Sequence, residues 1–239
     1  MIDIIKSEFQ KSKRTSINKF IIITPLLALL FSFSWGGGQN GAYNWWYTMF
    51  LPGMLAIISS QVITAEKKIG YKGILLYPID KKDIWLGKIA YISILIIITS
   101  LIFMMGIIII GFVDKPVIPL KANILATIIL IITFLFQIPM SLFLTAKFNM
   151  FVTVLFNIGM TIFGVVSFGI NSFLKFSPYG IISSLMCPIL KILPNGLSVP
   201  ENSPLLKGDT IIRDTTINII TFLIITILTT IWFKKKEVN

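Results

Sequence analysis

The sequence lacks histidine, contains one cysteine and carries little charge. Charged residues make up 13% of the 239 residues, whereas a soluble domain carries about 25%. Without histidine, a histidine-ligated zinc site and histidine acid–base catalysis are excluded. The single cysteine, Cys187, cannot form an internal disulfide, and we interpret it as a small apolar packing residue. No G-x-x-x-x-G-K-[ST] motif is present. We therefore predict no catalytic residue, no metal site and no cofactor bound by this chain.

Long charge-free stretches fill most of the chain. Four of them, 89–113, 122–146, 148–174 and 215–233, contain 19 to 27 residues, close to the roughly 20 that cross a bilayer as a helix. The fifth contains 46 residues and is interrupted by a glycine-rich segment, so it can cross twice. This pattern excludes a soluble enzyme and predicts an all-α integral membrane protein with one domain over residues 1–239. The six predicted spans are 20–35, 45–64, 89–112, 122–145, 150–170 and 215–233.

The distribution of lysine and arginine predicts the orientation. With the N-terminus inside, the inner segments hold 15 positive residues and the outer segments hold 6. Positive residues favour the cytoplasmic side, so both termini are expected there. The net charge is +11, but the basic residues flank apolar spans and do not form one patch. This distribution favours a topology signal over nucleic-acid binding. No A-x-A-like cleavage site follows the first span, so we expect it to be retained.

The first 19 residues combine apolar and basic side chains. Ile2, Ile5 and Phe9 are spaced to share one face of a helix. This pattern predicts an amphipathic helix on the inner membrane surface, where anionic lipid headgroups attract it. A frayed basic tail is the alternative.

An aromatic group follows the first span, and isolated amides lie within the apolar stretches. Tyr43, Trp45 and Trp46 indicate either anchoring at the outer membrane interface or a contact with substrate. Pro139 is expected to kink the fourth span. The intramembrane amides should face protein or water and not lipid; they are Gln61, Gln137, Asn157 and Asn218.

The segment 171–212 is too apolar for a solvated loop, and five prolines divide it. Its longest charge-free run, 176–190, has 15 residues and is too short to span. We predict short broken helices packed against the outer end of the bundle. Ile181, Ile182 and Leu185 within this run are candidate contacts with a substrate.

Residues 65–88 form the longest predicted cytoplasmic connection. Ile69, Gly73, Leu76 and Tyr77 share the apolar face of a short helix, which Pro78 ends. An apolar face without a core to cover it favours a protein partner. A helix lying flat on lipid headgroups is the alternative interpretation.

Together these features resemble the permease subunits of type-2 ABC exporters. In that family the first cytoplasmic loop contains a coupling helix that docks on a separate ATPase. Glu66 at the end of the second span, the short helix and the re-entry from Pro78 to Gly87-Lys88 match this loop. The resemblance therefore implies a coupling site, whose residues here are Glu66, Ile69, Gly73, Leu76, Tyr77 and Pro78.

Short motifs narrow the resemblance further. Gly41-Ala42-Tyr43-Asn44-Trp45-Trp46-Tyr47, Leu51-Pro52-Gly53 and Trp85-Leu86-Gly87-Lys88 are similar to the lantibiotic-immunity permeases of the mutacin/epidermin type. The resemblance implies a bacterial plasma-membrane exporter that expels a lantibiotic-type peptide. It also implies an ABC ATPase dimer, which binds the ATP and magnesium, and a second permease subunit in a heterodimer. Two alternatives remain: export of another amphiphilic cargo, such as a drug or lipid-linked molecule, and a non-transport immunity protein that sequesters the peptide.

Overall fold

The protein is a helical membrane bundle. The structure, a computed structural model, describes residues 1–13, 15–35, 37–68, 71, 80–113, 117–169 and 177–236. Within these residues six helical segments are long and apolar enough to cross a membrane, which confirms the predicted fold class. The helices are α1 (Ile2–Ser12), α2 (Ile17–Ser34), α3 (Gly38–Trp45), α4 (Leu51–Lys68), α5 (Lys81–Val113), α6 (Leu120–Phe134), α7 (Gln137–Lys147), α8 (Met150–Gly169), α9 (Pro178–Leu190) and α10 (Ile211–Lys234).

The second crossing starts earlier than predicted. A start near residue 45 was expected after the glycine-rich segment, but α3 begins at Gly38 and a π-helical turn, Trp46–Phe50, joins it to α4. Gln39 stabilises this early start: its Nε2 donates to the carbonyl oxygen of Ile107 at 2.9 Å, and its Oε1 accepts from the backbone N–H groups of Val117 and Ile118. A long-range contact of this kind has no local sequence signal.

The fourth crossing is kinked, as the proline predicted. Its two parts, α6 and α7, are separated at Leu135 and Phe136. Leu135 is four residues before Pro139, where the proline ring excludes the usual helical hydrogen bond. Next to this break, Gln137 Nε2 donates to the carbonyl oxygen of Pro52 at 2.6 Å, which joins the kink to α4.

Helix α4 lies at the centre of the bundle. Its residues Pro52, Ala56 and Ser60 are buried, and the Ser60 hydroxyl is 2.7 Å from that of Thr145 on α7. Small residues allow helices to approach closely in a membrane. In contrast, α2, α8 and α10 leave many large apolar side chains exposed, such as Leu30, Phe151 and Ile227, as expected for helices in contact with lipid.

The N-terminal helix forms as predicted, but its buried face is not the apolar one. Glu8 and Ser12 are the buried residues of α1, whereas Ile2 is 69% exposed. Phe9 is partly buried and packs edge-to-face on Tyr91 of α5 at 4.7 Å between ring centroids. The position of α1 on the inner membrane surface stays a prediction. The contact of Glu8 and Ser12 with the bundle had no local sequence signal, because the partner of Glu8 lies far along the chain.

The segment before the last span contains short helical pieces, as predicted. Helix α9 begins after Ser177, whose side chain accepts a hydrogen bond from the N–H of Gly180, and it ends at Lys191 in a left-handed conformation. Two 3₁₀ turns, Pro204–Leu206 and Gly208–Thr210, lead into α10. Residues 171–176 of the predicted segment lie outside the described residues.

Candidate functional site

Four charged residues form a closed cluster at the lysine-rich end of the bundle. We call Glu8, Lys11, Glu66 and Lys88 the charge ring. Lys88 Nζ lies 2.9 Å from Glu8 Oε1 and 2.7 Å from Glu66 Oε1. Lys11 Nζ lies 2.7 Å from Glu8 Oε1 and 2.9 Å from Glu66 Oε1. The ring therefore alternates in sign and joins three helices: α1, α4 and α5.

Three of the four members of the ring are deeply buried. The side chain of Lys88 is 0% exposed and those of Glu8 and Glu66 are 4% and 6% exposed, whereas that of Lys11 is 44% exposed. Burial alone would raise the pKa of Glu8, but Lys88 and Lys11 more than offset it and hold that pKa below its usual value. Burial alone would lower the pKa of Lys11, but Glu66 and Glu8 raise it. The ring contains two lysines and two glutamates, so its positive and negative residues are equal in number.

A small cavity of about 40 Å³ adjoins the ring. Three buried polar atoms that lack a hydrogen-bonding partner among the described residues belong to residues of its lining: Gln61 Oε1, Glu66 Oε2 and the Tyr91 hydroxyl. The cavity is therefore lined in part by polar residues, and its volume is sufficient for one water molecule.

The Trp85-Leu86-Gly87-Lys88 motif organises the first turns of α5. Trp85 is fully buried, donates from Nε1 to the Thr229 hydroxyl at 3.1 Å and stacks on Phe233 of α10. Gly87 lies against α1: a Cβ there would be 2.5 Å from Cγ2 of Ile4. Lys88 completes the charge ring. The motif therefore joins the N-terminal helix, α4 and the last helix at one place.

The C-terminal residues lie on the other side of the same region. The Tyr71 backbone N–H donates to the carbonyl oxygen of Glu66 at 2.9 Å, with Tyr71 at a positive φ of 58°. The Tyr71 ring contacts Phe233 edge-to-face, and the ammonium of Lys236 lies 4.2 Å from its centroid. Burial, assisted by the charge of Glu66, raises the pKa of Tyr71 to about 12, so the phenol is neutral. The start of the connection between α4 and α5 is thus in contact with the C-terminal end.

Of the six predicted coupling residues, only Glu66 lies within the described part of the chain, and it belongs to the charge ring. Ile69, Gly73, Leu76, Tyr77 and Pro78 lie outside the described residues, so their coupling role stays a prediction. Sequence reasoning missed Glu8, Lys11 and Lys88 as members of a site. The one available signal was the position of Lys88 in the motif, since Glu8 and Lys11 resemble ordinary polar-face residues.

The predicted outer aromatic group is mostly interior. Tyr43 and Trp46 are 0% and 1% exposed, Trp46 stacks on Phe103, and the Tyr43 hydroxyl contacts Asn123. These two rings therefore cannot form a belt among lipid headgroups, which corrects that interpretation. Trp45 is partly exposed and packs near Phe31. Contact between substrate and these rings stays a prediction, and Trp45 is the one at the surface.

The predicted substrate residues of the outer segment are also in the core. Ile181, Ile182 and Leu185 are 1%, 2% and 0% exposed, within a helix whose tight contact with α8 requires Gly164. A Cβ on Gly164 would lie 2.8 Å from the backbone of Tyr179 and Gly180. These three side chains are therefore buried and not available to a substrate, which corrects the premise of that prediction. They pack α9 onto the bundle.

The intramembrane amides contact protein. Asn157 accepts from the Tyr179 hydroxyl at 2.6 Å and donates to the Ser141 hydroxyl. Asn218 Nδ2 donates to the carbonyl oxygens of Thr133 and Pro178. Gln137 is fully buried against α4, and Gln61 lines the small cavity beside the charge ring. The amides therefore lie against other helices of the bundle.

An open cleft of about 470 Å³ lies between α9, the 3₁₀ turns and the start of α10. Its lining combines apolar side chains with charges of both signs. Asp214 in this cleft is buried and is paired with Arg213 at 2.8 Å. The lining residues are Phe168, Ser184, Pro188, Pro204, Leu205, Lys207, Asp209, Thr210, Arg213 and Asp214.

Comparison with known families identifies the class of protein. Residues 4–169 match the ABC-2 family transporter protein family. The match covers more than half of the chain and includes the charge ring and the first five spans, so the chain belongs to this family. No curated protein and no solved structure matches it.

Family membership defines the chain as a multi-pass membrane permease of an ABC exporter. It is a transport subunit, and the family implies an ABC ATPase as its partner. The region around the charge ring contains the ends of α4 and α5 that flank the predicted coupling loop.

Proposed function

We propose that this permease expels a lantibiotic-type antimicrobial peptide from the bacterial plasma membrane and thereby protects the cell that produces it. ATP is hydrolysed with magnesium on a separate ABC ATPase dimer, and a second permease subunit completes the transport pathway. Both termini lie in the cytoplasm in this arrangement, which the excess of lysine and arginine in the inner segments supports. Lys81 Nζ donates to the carbonyl oxygen of Lys236, so the start of α5 and the end of α10 lie at the same end of the bundle.

The observation that carries the proposal is the position of the three motifs that resemble lantibiotic-immunity permeases. Tyr43 and Trp46 of the first motif are buried, and Pro52 of the second accepts the hydrogen bond of Gln137. Gly87 and Lys88 of the third hold α1 against α5. The three motifs therefore lie where helices pack against one another, which supports an architecture shared with the lantibiotic-immunity permeases.

The experiment measures peptide release by cells that carry the permease with its ATPase. Cells are loaded with a labelled lantibiotic-type peptide, and the fraction released to the medium is measured over time. We expect release and survival with the wild-type proteins and neither with an ATPase whose phosphate-binding lysine is replaced by alanine. Survival without release, in cells with either ATPase, is the result of a sequestering protein and would contradict the proposal.

A second candidate is export of another amphiphile, and the open cleft favours it. Lys207, Asp209 and Asp214 lie in the same cleft as Phe168 and Leu205, so polar and apolar parts of many molecules could contact it. A drug or a lipid-linked molecule in place of the peptide in the release experiment separates the two candidates. Release of that molecule but not of the peptide would replace the peptide proposal by this one.

A further inference from the structure

The charge ring joins three segments that are distant in the sequence. Glu8 is 80 positions from Lys88, and Glu66 is 22 positions from it. Glu66 lies three residues before the first residue of the loop 69–79, and Lys88 lies in the second turn of the helix that follows this loop. The ring therefore joins one residue of the helix that precedes the loop, one residue of the helix that follows it, and one residue pair from α1.

The ring has the properties of a specific attachment and not of a solvated charge cluster. Lys88 is fully buried and both of its partners are carboxylates, so it cannot leave the ring without losing two ion pairs in a buried place. Exposed pairs contribute little because water and salt screen them. Burial thus makes the position of α1 depend on Lys88 and Glu66.

Other contacts between α1 and α5 involve apolar side chains. Ile4 contacts Gly87, and the ring of Phe9 contacts that of Tyr91. The buried residues of α1 are nevertheless Glu8 and Ser12, so an apolar face does not account for its position. The Glu8–Lys88 ion pair is therefore the most deeply buried of the side-chain contacts that join α1 to α5.

We propose that the charge ring is the joint through which the N-terminal helix fixes the spacing of the two ends of the loop 69–79. Glu8 is then a positioning residue for that loop: it holds Lys88, and Lys88 holds Glu66. This inference rests on the proposed function only where it gives the loop a role in coupling. Whether the charge ring holds α1 and the two ends of the loop in place is tested without an ATPase.

The first measurement follows the docking of α1 by cysteine accessibility. Ser12 is 3% exposed, so Ser12→Cys in a Cys187→Ala background should be protected from a polar maleimide in mild detergent, where the reagent can reach both ends of the bundle. Adding Lys88→Met leaves two carboxylates with one lysine, and we expect the rate of labelling to rise at least tenfold. Adding Glu8→Gln as well restores a neutral cluster and should recover part of the protection, because the Lys11–Glu66 pair then still joins α1 to α4 without an uncompensated charge.

The native Cys187 supplies the control. It is 0% exposed within α9, far from the ring along the chain, and in the Lys88→Met protein with Ser12 intact it should remain protected. Labelling of both thiols, the native one and the one introduced by Ser12→Cys, would show loss of the whole bundle and overturn the inference of a local joint. Unchanged protection of the introduced thiol in the Lys88→Met background would also overturn it, since the contacts of Ile4 and Phe9 would then be enough to hold α1 against α5.

The second measurement tests whether α1 positions the loop. Lys68 and Lys82 are exposed and flank the loop, so spin labels at these positions report the spacing of its two ends. We expect a narrow distance distribution in the wild-type background and a broader one with Glu8→Gln. An unchanged distribution in a protein whose α1 has been released would overturn the positioning role. Failure of peptide export alone would leave both results unaffected, so it contradicts only the proposed function.

Discussion

Glu8 and Lys88 are 80 positions apart in the sequence, and a 2.9 Å ion pair between them joins the N-terminal helix to the third membrane-spanning segment. Glu66 and Lys11 close the same set of charges. The lysine-rich end therefore contains one internal cluster in addition to the charges that set the orientation of the chain. Removing one member leaves an uncompensated charge, whereas removing an opposite pair leaves a neutral cluster.

The first prediction concerns stability. Lys88→Met should lower the free energy of unfolding in mild detergent by about 3–5 kcal/mol, because it leaves two buried carboxylates with one cation. Glu8→Gln with Lys88→Met should cost clearly less than Lys88→Met alone. Unfolding by SDS titration, followed by tryptophan fluorescence, measures both values. Equal losses in the single and double variants would contradict the proposed charge balance.

The second prediction concerns pH. The pKa of Glu8 is held below its usual 4.5, so its stabilising contribution is complete above that value and is lost as the pH falls through the folded-state pKa. The pKa of Lys11 is raised above 10.5, so its contribution is complete below that value and lost at higher pH. The stability difference between wild type and Glu8→Gln should therefore stay constant from about pH 5 to about pH 10. A steep change near pH 7 would contradict this assignment.

The third prediction concerns the contact between α8 and α9. Gly164→Ala places a methyl group 2.8 Å from backbone atoms that cannot move independently, and we expect a loss of about 1–3 kcal/mol from overpacking. Gly159→Ala is the matched control on the same helix, because no atom lies within 4 Å of its Cβ position. Melting temperatures in detergent should fall for the first variant and not for the second. Equal melting temperatures would contradict the close helix contact.

The fourth prediction concerns orientation. Val117 and Leu197 are 61% and 65% exposed and lie in the predicted outer segments, so cysteines there should react with an impermeant reagent in intact cells that carry Cys187→Ala. Cysteines at Lys13 and Lys82 should react only after the membrane is opened. Labelling of the second pair in intact cells would invert the orientation and remove the loop 69–79 from the ATPase side.

The six spans could be predicted from the sequence because apolar length is a local property. Charge-free stretches located every crossing, and Pro139 located the kink between α6 and α7. The charge ring could not be predicted, since the buried face of α1 depends on Lys88, a residue of another helix. The same reason explains the start of α3, where Gln39 contacts Ile107 and the segment before α6.

Local reasoning also misplaced several aromatic and apolar side chains. Tyr43 and Trp46 occur where an aromatic belt is expected, yet they are buried because Asn123 and Phe103 from other helices cover them. Ile181, Ile182 and Leu185 occur in a segment too short to span, but that segment packs against α8 and α10. Hydropathy cannot distinguish side chains that face a neighbouring helix from side chains that face a substrate.

The proposed function requires that ATP hydrolysis on a separate ATPase be coupled to this permease, and the predicted route is the cytoplasmic connection 65–88, which includes the loop 69–79. Ile69→Asp with Leu76→Asp places two charges on the predicted apolar face of that loop. Burial of each original side chain against a partner is worth about 1.5–3 kcal/mol, so the pair should lower affinity for the ATPase by far more than tenfold. Lys234→Glu with Lys235→Glu is the control, because both lysines are exposed.

The decisive measurement is the release of labelled peptide from cells that contain equal amounts of each permease variant and the ATPase. The account predicts that the Ile69→Asp, Leu76→Asp protein stays in the membrane but releases no peptide and no longer binds the ATPase, while the lysine control releases it at nearly the wild-type rate. Normal ATPase binding together with normal peptide release by the double aspartate variant would contradict the account.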